Sequence, residues 1–408
     1  MTKILTKHFD NASFHELETY KSLDGYKGLE KALTMAPADV TAEVLKSNLR
    51  GLGGAGFPTG AKWGTVPPVE KLPGPRYVVV NLDESEPGCF KDRVLATRAP
   101  HQLIEGLLIA AHAIGAKETF IFVRGEYQNQ HDLLAKAVKE ATDAGYAKHA
   151  SIKLMRGAGA YISGLDTALL ETMEGKKAWP RQPPPFPTVA GLMGKPTVVN
   201  NIMTLSTLPF ILREGAEKFA AIGSPKNGGT VVFSISGHVE KPGVYEFAMG
   251  VTLREALAAA GGVAGGKKLK AVIPGGTSMP PLLEKDLDLK LDFDSIRAAG
   301  TFLGAGGMIV LDETVDAVEV AHNIERFLTH ESCGQCTPCR EGSFWSEEIL
   351  ERILHGKGTS EDLPNLVRMG ENITGKVICA LGDTVGVIAR VWQQKFPEDF
   401  KKRVPNNG

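Results

Sequence analysis

The sequence predicts an α/β domain with a parallel sheet, then a smaller α+β domain, then a helical bundle. Three observations carry this. Short β-branched runs alternate with helical stretches between residues 77 and 174, the pattern of strands joined by crossover helices. From Thr230 the order changes to strand, turn, strand and helix. From Val315 onward the apolar periodicity is helical throughout. The 408 residues, 43% of them hydrophobic and 23% charged, suit two or three domains with ample core at roughly 150 residues each.

In chain order, residues 12–49 read as broken helix, with Pro37 opening a helix over Ala38 to Leu49. Arg50 to Trp63 reads as a loop, because five glycines in ten residues do not hold a helix. Tyr77-Val-Val-Val-Asn81 reads as a strand, Leu103 to Ile114 as a helix, and Thr119 to Val123 as the next strand. Gln130 to Ala144 follows as a helix, Ile152 to Met155 as a short strand, and Leu165 to Glu174 as a helix behind a glycine-rich loop. Arg181-Gln-Pro-Pro-Pro-Phe-Pro187 is expected to be stiff and extended. Strands are expected over 230–237 and Val244 to Phe247, and a helix from Leu253 to Ala260 stopped by Gly261-Gly262. Four helices, 315–329, 341–355, 361–372 and 381–396, complete the chain as a bundle. The expected domains are 1–221, 222–310 and 311–408.

Charge and composition narrow the function. Forty-six basic residues against 47 acidic ones leave a net charge of −1. That argues against a nucleic-acid partner, and it gives no long-range attraction to an anionic membrane. No run of about 20 apolar residues spans a bilayer, and Met1 to His8 lacks the apolar stretch of a secretion signal. An intracellular, reducing location is expected, in which the odd count of five cysteines does not make a disulfide framework.

Four of those cysteines carry the strongest chemical signal. Cys333-x2-Cys336-x2-Cys339, with Cys379 forty residues on, is a spacing that iron–sulfur clusters use. Zinc is the nearest alternative, although structural zinc takes its cysteines in separated pairs. Cys89 stands alone and reads as an ordinary small residue. Gly51-x-Gly53-x-x-Gly56 fits a dinucleotide fingerprint as a string, but a helix precedes it where that motif has a strand. Lys62 behind it adds a cation to bare backbone N–H groups, a combination suited to phosphate, with a tight surface turn as the alternative. Asn81-Leu-Asp83-Glu84-Ser85-Glu86 follows a strand directly, either a ligand edge or a solvated acidic turn. Gly157 to Gly164 opens a helix and is a further anion-site candidate. Asn200-Asn201 precedes an apolar helix that it could simply cap.

Taken together these strings resemble the 51-kDa family of respiratory complex I, the flavin-bearing component that oxidises NADH, a module shared with NAD-linked hydrogenases and formate dehydrogenases. Glu331-Ser-Cys-Gly-Gln-Cys-Thr-Pro-Cys-Arg-Glu-Gly342, Arg50 to Trp63, Asp83 to Gly88, and Gly194 to Asn201 carry the likeness, which runs from about residue 25 to 400. The resemblance implies a Rossmann-like FMN domain, a ubiquitin-like (SLBB, β-grasp) domain, and a four-helix bundle with one 4Fe–4S cluster on Cys333, Cys336, Cys339 and Cys379. It implies FMN on Gly51, Gly53, Gly54, Gly56, Lys62, Asn81, Asp83, Ser85, Tyr161, Gly164, Asn200, Asn201 and Thr204. It implies NADH with its adenine on Phe57 and Phe186, its ribose at Asp166, and Glu86 at the nicotinamide end, Glu84 and Glu86 biasing charge near the flavin. The implied reaction is hydride transfer from NADH to FMN, then single-electron transfer to the cluster and on toward quinone. The implied partners are a small 2Fe–2S thioredoxin-like subunit and a large iron–sulfur subunit, in a peripheral arm on the cytoplasmic (or matrix) side of a membrane. Contact with that membrane is indirect, through the complex.

The sequence departs from the family pattern at the nucleotide end. Asp166 stands for a glutamate, Leu165 for a second carboxylate, Pro183 for a lysine, Leu52 for an arginine and Ser163 for a cysteine. These departures imply a weakened NADH site, and at the extreme a cluster-bearing scaffold that no longer binds NADH.

Overall fold

Tyr77-Val-Val-Val-Asn-Leu82 is apolar on both faces, which suits a strand covered on both sides. It forms β1 (Tyr77–Leu82) at the middle of a four-stranded parallel sheet with β2 (Glu118–Val123), β3 (Ser151–Arg156) and β4 (Thr197–Asn201), in the order β3-β2-β1-β4. The alternation of β1 divides two cores. Val78, Val80 and Leu82 pack with the helices Pro100–Ile114 and Ile202–Glu214. Val79 packs with Leu169, Leu170 and Met173 of the helix Asp166–Met173. The result is the layered, doubly wound arrangement expected of the first domain. The computed structural model describes residues 2–405; Met1 and 406–408, the outer ends of the first and third expected domains, lie outside them.

The second sheet has the order β6-β5-β8-β7, from β5 (Thr230–Gly237), β6 (Gly243–Ala248), β7 (Leu269–Ile273) and β8 (Gly307–Asp312). β5 and β6 form an antiparallel hairpin, β5 and β8 run parallel, and the helix Leu253–Ala259 crosses between β6 and β7. Thr252 begins that helix with a reciprocal cap on Glu255. The helices Ala317–Glu331, Thr337–Leu354, Asp362–Ile373 and Ala380–Lys395 then share one apolar core. The mixed α/β, α+β and all-α fold class is therefore present as expected. Among the described residues no helix is long and apolar enough to cross a membrane.

Several elements escape the sequence reading: the stretch read as a loop to Trp63 ends in a short helix, Thr59–Gly64, and the short helices Ala216–Ala220, Phe293–Ala298 and Pro397–Lys401 go unread as well. β4 ends in two asparagines, poor strand formers, and sits where a helix cap is expected. β7 is only five residues long, and β8 is a short apolar run that periodicity alone does not assign. The helix Lys91–Arg98 is missed because it buries charge, Lys91 and Asp92, rather than an apolar stripe. The proline run is not uninterruptedly extended: it bends at residues 183–185, with cis bonds at Pro183–Pro184 and Pro184–Pro185. The bundle's second helix starts at Thr337, earlier than 341, because Pro338 is well tolerated in a first turn.

Candidate functional site

The chain leaves β1 toward β2 on one side and reaches β4 on the other, so the sheet reverses between β1 and β4. The crevice beyond the carboxyl ends of such a strand pair is where open α/β sheets take ligands. Asn81 and Asn201 are register partners there, as are Val80 and Asn200. Three loops close over this edge.

The first is the glycine loop. Leu52 N donates to Thr204 Oγ1 at 2.9 Å, and a Cβ on Gly53 would lie 2.7 Å from that of Asn201, so only glycine lets the loop lie on the end of β4. Gly54 and Gly56 have φ of 135° and 65°, and Gly51 N bonds Phe57 O at 2.8 Å to close the turn. The short helix Thr59–Gly64 follows, from which Lys62 Nζ reaches Val199 O at 2.7 Å and Asp166 Oδ2 at 2.8 Å. The second is Asp83 to Gly88. The third is the loop ending at Gly164, where Asn81 Nδ2 donates to Gly164 O at 2.7 Å and Ser85 Oγ to Tyr161 O at 3.3 Å. Asn200 accepts from Trp63 Nε1 at 3.0 Å. Asn201 does cap the next helix, through Met203 N at 2.8 Å, but its amide also donates to Asp92 at 2.7 Å. The structure thus gathers Gly51, Gly53, Lys62, Asn81, Asp83, Ser85, Tyr161, Gly164, Asp166, Asn200, Asn201 and Thr204 at one edge. Phe57 and Phe186 are 54% and 61% exposed.

The carboxylates divide sharply. Glu84 is buried and fully engaged: it accepts from Asp92 N at 2.7 Å, Arg93 N at 3.1 Å and Tyr127 OH at 2.9 Å. It therefore anchors the start of the helix Lys91–Arg98, and its geometry is that of a positioning group rather than one that meets a substrate. Glu86 stays half-buried, accepting from Tyr161 OH at 2.6 Å and from Ser278 N at 2.8 Å. Asp83 Oδ1 is buried with no hydrogen-bond partner. Burial pushes the Asp83 carboxyl up to about 7, against the opposing pull of Arg124. A polar ligand at this edge would satisfy that oxygen. The edge therefore fits a flavin mononucleotide.

The four expected cluster cysteines are all free thiols. Cys333 and Cys336 lie in the turn between Ala317–Glu331 and Thr337–Leu354, Cys339 lies in the first turn of the latter, and Cys379 is the N-cap of Ala380–Lys395. Two helix N-termini thus face the thiols, an arrangement that favours negative charge. Ile378 N donates to Cys336 Sγ at 3.4 Å, and Leu381 and Gly382 offer backbone N–H groups to Cys379. Burial, and mutual repulsion among the four, push the Cys339 thiol up to about 11 and that of Cys379 also upward. Among the described residues no three His, Cys, Asp or Glu side chains gather tightly enough for a single metal ion. A polynuclear cluster takes one thiolate per iron and spreads its ligands wider. The donor set, four thiols backed by helix N-termini, fits such a cluster.

The cleft and the thiols are joined through Tyr161. Its backbone N donates to Glu331 at 3.1 Å, and its ring meets Phe327 edge-on at 5.1 Å, both residues on the helix that leads into Cys333. Trp179 Nε1 donates to Cys333 O at 3.0 Å. Sequence reasoning missed Ser278, Thr277, Arg124 and Tyr127. The first two follow a strand that was not recognised, while Arg124 immediately follows β2 and could have been found by the strand-end rule that found Asp83.

Comparison with known proteins gives three family-model matches. They are a Nuo51 FMN-binding domain over residues 44–209, an SLBB domain over 232–301, and an NADH-ubiquinone oxidoreductase-F iron–sulfur binding region over 319–403. An NADH-quinone oxidoreductase subunit of Rhizobium meliloti is 45% identical, over 97% of this chain and 96% of its own. Its counterpart in Aquifex aeolicus is 44% identical, over 98% and 94%. Among solved structures, an NAD+-reducing [NiFe]-hydrogenase in the air-oxidised state matches with a TM-score of 0.88 and 33% identity, over all of this chain and 68% of its own.

Proposed function

We propose, for a chain that belongs to the 51-kDa (oxidoreductase-F) family of NADH-quinone oxidoreductase, that the strand-end edge binds FMN and NADH and that the four cysteines hold a 4Fe–4S cluster. At the level of the family the chain is an NADH-oxidising flavoprotein and iron–sulfur electron-transfer module, with FMN-binding and 4Fe–4S-binding regions. The observation that carries the finer reading is the unpartnered, buried Asp83 Oδ1 at the switch between β1 and β4.

In this reading the loop amides of Gly51 to Gly56 and Lys62 hold the FMN phosphate, with Asn81, Asp83, Ser85, Tyr161, Gly164, Asn200, Asn201 and Thr204 around the rest. Bound FMN supplies the conversion between the two-electron chemistry of NADH and the one-electron chemistry of a 4Fe–4S cluster. Lys62 exchanges its Asp166 partner for phosphate, which frees Asp166 for a ribose. Phe57 and Phe186 offer faces for adenine stacking. Glu86 meets the nicotinamide end, and Glu84 acts only by holding the 91–98 helix against the edge. Tyr161 couples the cleft to the cluster helix, through Glu331 and Phe327. The division at 1–221, 222–310 and 311–408 puts these tasks on three domains.

The chain serves a multisubunit flavin and iron–sulfur complex. Its proposed neighbours are a 2Fe–2S thioredoxin-like subunit and a large iron–sulfur subunit, in a peripheral arm on the cytoplasmic or matrix side. Exposed Phe344 and Trp345, on the helix that carries Cys339, offer an apolar surface for such a partner. The same module in an NAD-linked hydrogenase is the second reading, favoured by the 0.88 TM-score. The higher identity to the NADH-quinone oxidoreductase relatives favours the first.

The test is anaerobic visible absorption of the purified protein, with its small partner if needed, before and after NADH. Prompt bleaching of a flavin band is expected. A flavin band that bleaches with dithionite but persists with NADH would overturn the nucleotide half of the proposal.

A further inference from the structure

The second domain reaches into the cleft of the first. Its loop Pro274 to Ser278 leaves the carboxyl end of β7 and crosses over Glu86. Ser278 gives Glu86 two contacts, a backbone N–H to Oε1 at 2.8 Å and its own hydroxyl, which lies within reach of both carboxylate oxygens. Thr277 Oγ1 adds a contact to Oε1 at 3.2 Å, and Tyr161 OH donates to Oε2 at 2.6 Å. A carboxylate has about four acceptor sites; the backbone N–H, Thr277 and Tyr161 take three, and the Ser278 hydroxyl has a single proton to place on either oxygen. Gly276 shows how close the approach is. Its φ is 108°, and a Cβ there would stand 2.2 Å from Glu86 Cγ. Gly275 fits the same way against Leu303 O, at 2.3 Å, which fixes the loop to its own domain.

We propose that Ser278 is a positioning residue for the reaction: it holds the Glu86 carboxylate in the orientation that receives the nicotinamide end of NADH. The inference rests on the reading of Glu86 given above and extends it to a domain with no assigned part in the chemistry. Ser278 is 5% exposed and acts through Glu86. Its hydroxyl bridges Oε1 and Oε2 and lies 3.0 Å from Tyr161 OH, so it can yield one oxygen to an incoming amide while keeping the carboxylate in place. The backbone N–H of residue 278 remains as a fixed donor.

The test is a double-mutant cycle in the FMN- and cluster-loaded protein with its small partner, measured as NADH-dependent ferricyanide reduction. Ser278→Ala is expected to lower kcat/KM for NADH about tenfold at unchanged FMN content, the loss of one hydrogen bond to a charged group. Ser278→Thr, which keeps the hydroxyl, is expected to stay within about twofold. In a Glu86→Gln background Ser278→Ala is expected to cost less than about twofold, because residues that act through one another are not additive. An equal loss in both backgrounds would make Ser278 merely structural and overturn the proposal. So would an unaffected Ser278→Ala beside a damaged Glu86→Gln. A silent Glu86→Gln would instead overturn the reading of Glu86 on which the proposal stands. If Ser278→Ala does not accumulate, the near-isosteric Ser278→Cys carries the same cycle.

Discussion

Cys333, Cys336 and Cys339 lie on one turn and the helix start behind it, and only Cys379 comes from elsewhere. The strand-end cleft instead draws on separate segments between Gly51 and Thr204, with a further one, Thr277-Ser278, from another domain. The two regions also differ in what they leave unsatisfied. Cys336 and Cys379 accept backbone N–H groups, although burial and mutual repulsion still hold the Cys339 and Cys379 thiols above the ordinary value, whereas the cleft keeps one buried carboxylate oxygen with no hydrogen-bond partner. A locally encoded site tolerates little change because each ligand is needed. A site assembled from many segments can lose a contact and weaken by degrees. Of the five departures from the family pattern, those at Leu52, Ser163, Leu165 and Asp166 fall in or beside the assembled cleft, and none of the five falls on one of the four cysteines.

The largest expected effect therefore belongs to the thiols. In the proposed reading Cys379→Ala removes one of four iron ligands, and it is expected to abolish the 4Fe–4S signal, read by iron content and low-temperature EPR of the reduced protein. FMN content is expected to persist, because the cores beneath the parallel sheet contain no residue of the bundle. Retention of a full iron complement would break the comparison.

Glu86→Gln comes next. It keeps shape and removes charge from a carboxylate that accepts from Tyr161 and Ser278. A drop of about ten- to a hundredfold in kcat/KM for NADH is expected, with unchanged reduction of the flavin by dithionite. Unchanged NADH kinetics would remove Glu86 from the site.

How far each region could be read from the sequence follows the same division. The thiol spacing is local, so the sequence alone proposes a cluster and all four candidate ligands, Cys379 among them, before any fold is known. Asp83, Glu86 and Asn81 are found because strand ends are good places to look. Glu84 sits in the same string and resembles Glu86, yet it turns inward to Asp92, Arg93 and Tyr127. A helix that buries Lys91 and Asp92 gives no apolar stripe to announce it. Ser278 is illegible for a different reason: its approach to Glu86 spans 192 positions and depends on how two domains dock.

Asp83 gives a prediction in pH. Its carboxyl is raised in the folded protein to about 7, above the ordinary value near 3.9. The folded state therefore holds its proton more tightly than the unfolded chain does. Stability associated with this group is fully present below about pH 4 and is lost progressively as pH rises toward 7. Asp83→Asn cannot ionise. In flavin-depleted protein its Tm is expected to gain on the parent from about pH 4 to pH 7, by an amount equivalent to a few kcal/mol, and then to hold steady. A difference independent of pH would mean that the carboxyl is not buried as the cleft geometry requires.

The smallest effect is expected at Asp166, and it tests whether the assembled cleft weakens by degrees. Asp166 opens the helix Asp166–Met173 and pairs with Lys62, which also bonds Val199 O. Its neighbour Leu165 packs against the apolar core of the bundle, so this short segment is held on both sides and has little freedom to move toward a nucleotide. One methylene more is the simplest way to extend the carboxylate without moving the backbone. Asp166→Glu is expected to tighten NADH binding by about three- to tenfold, a fraction of one charged hydrogen bond, while leaving FMN affinity within about twofold because Lys62 keeps its second partner. The measurement is the NADH dissociation constant of the two proteins by fluorescence quenching. Equal constants would show that the shorter side chain already reaches its ribose. The cleft's tolerance would then lie in the loops around it, and the shortened carboxylate would cost nothing.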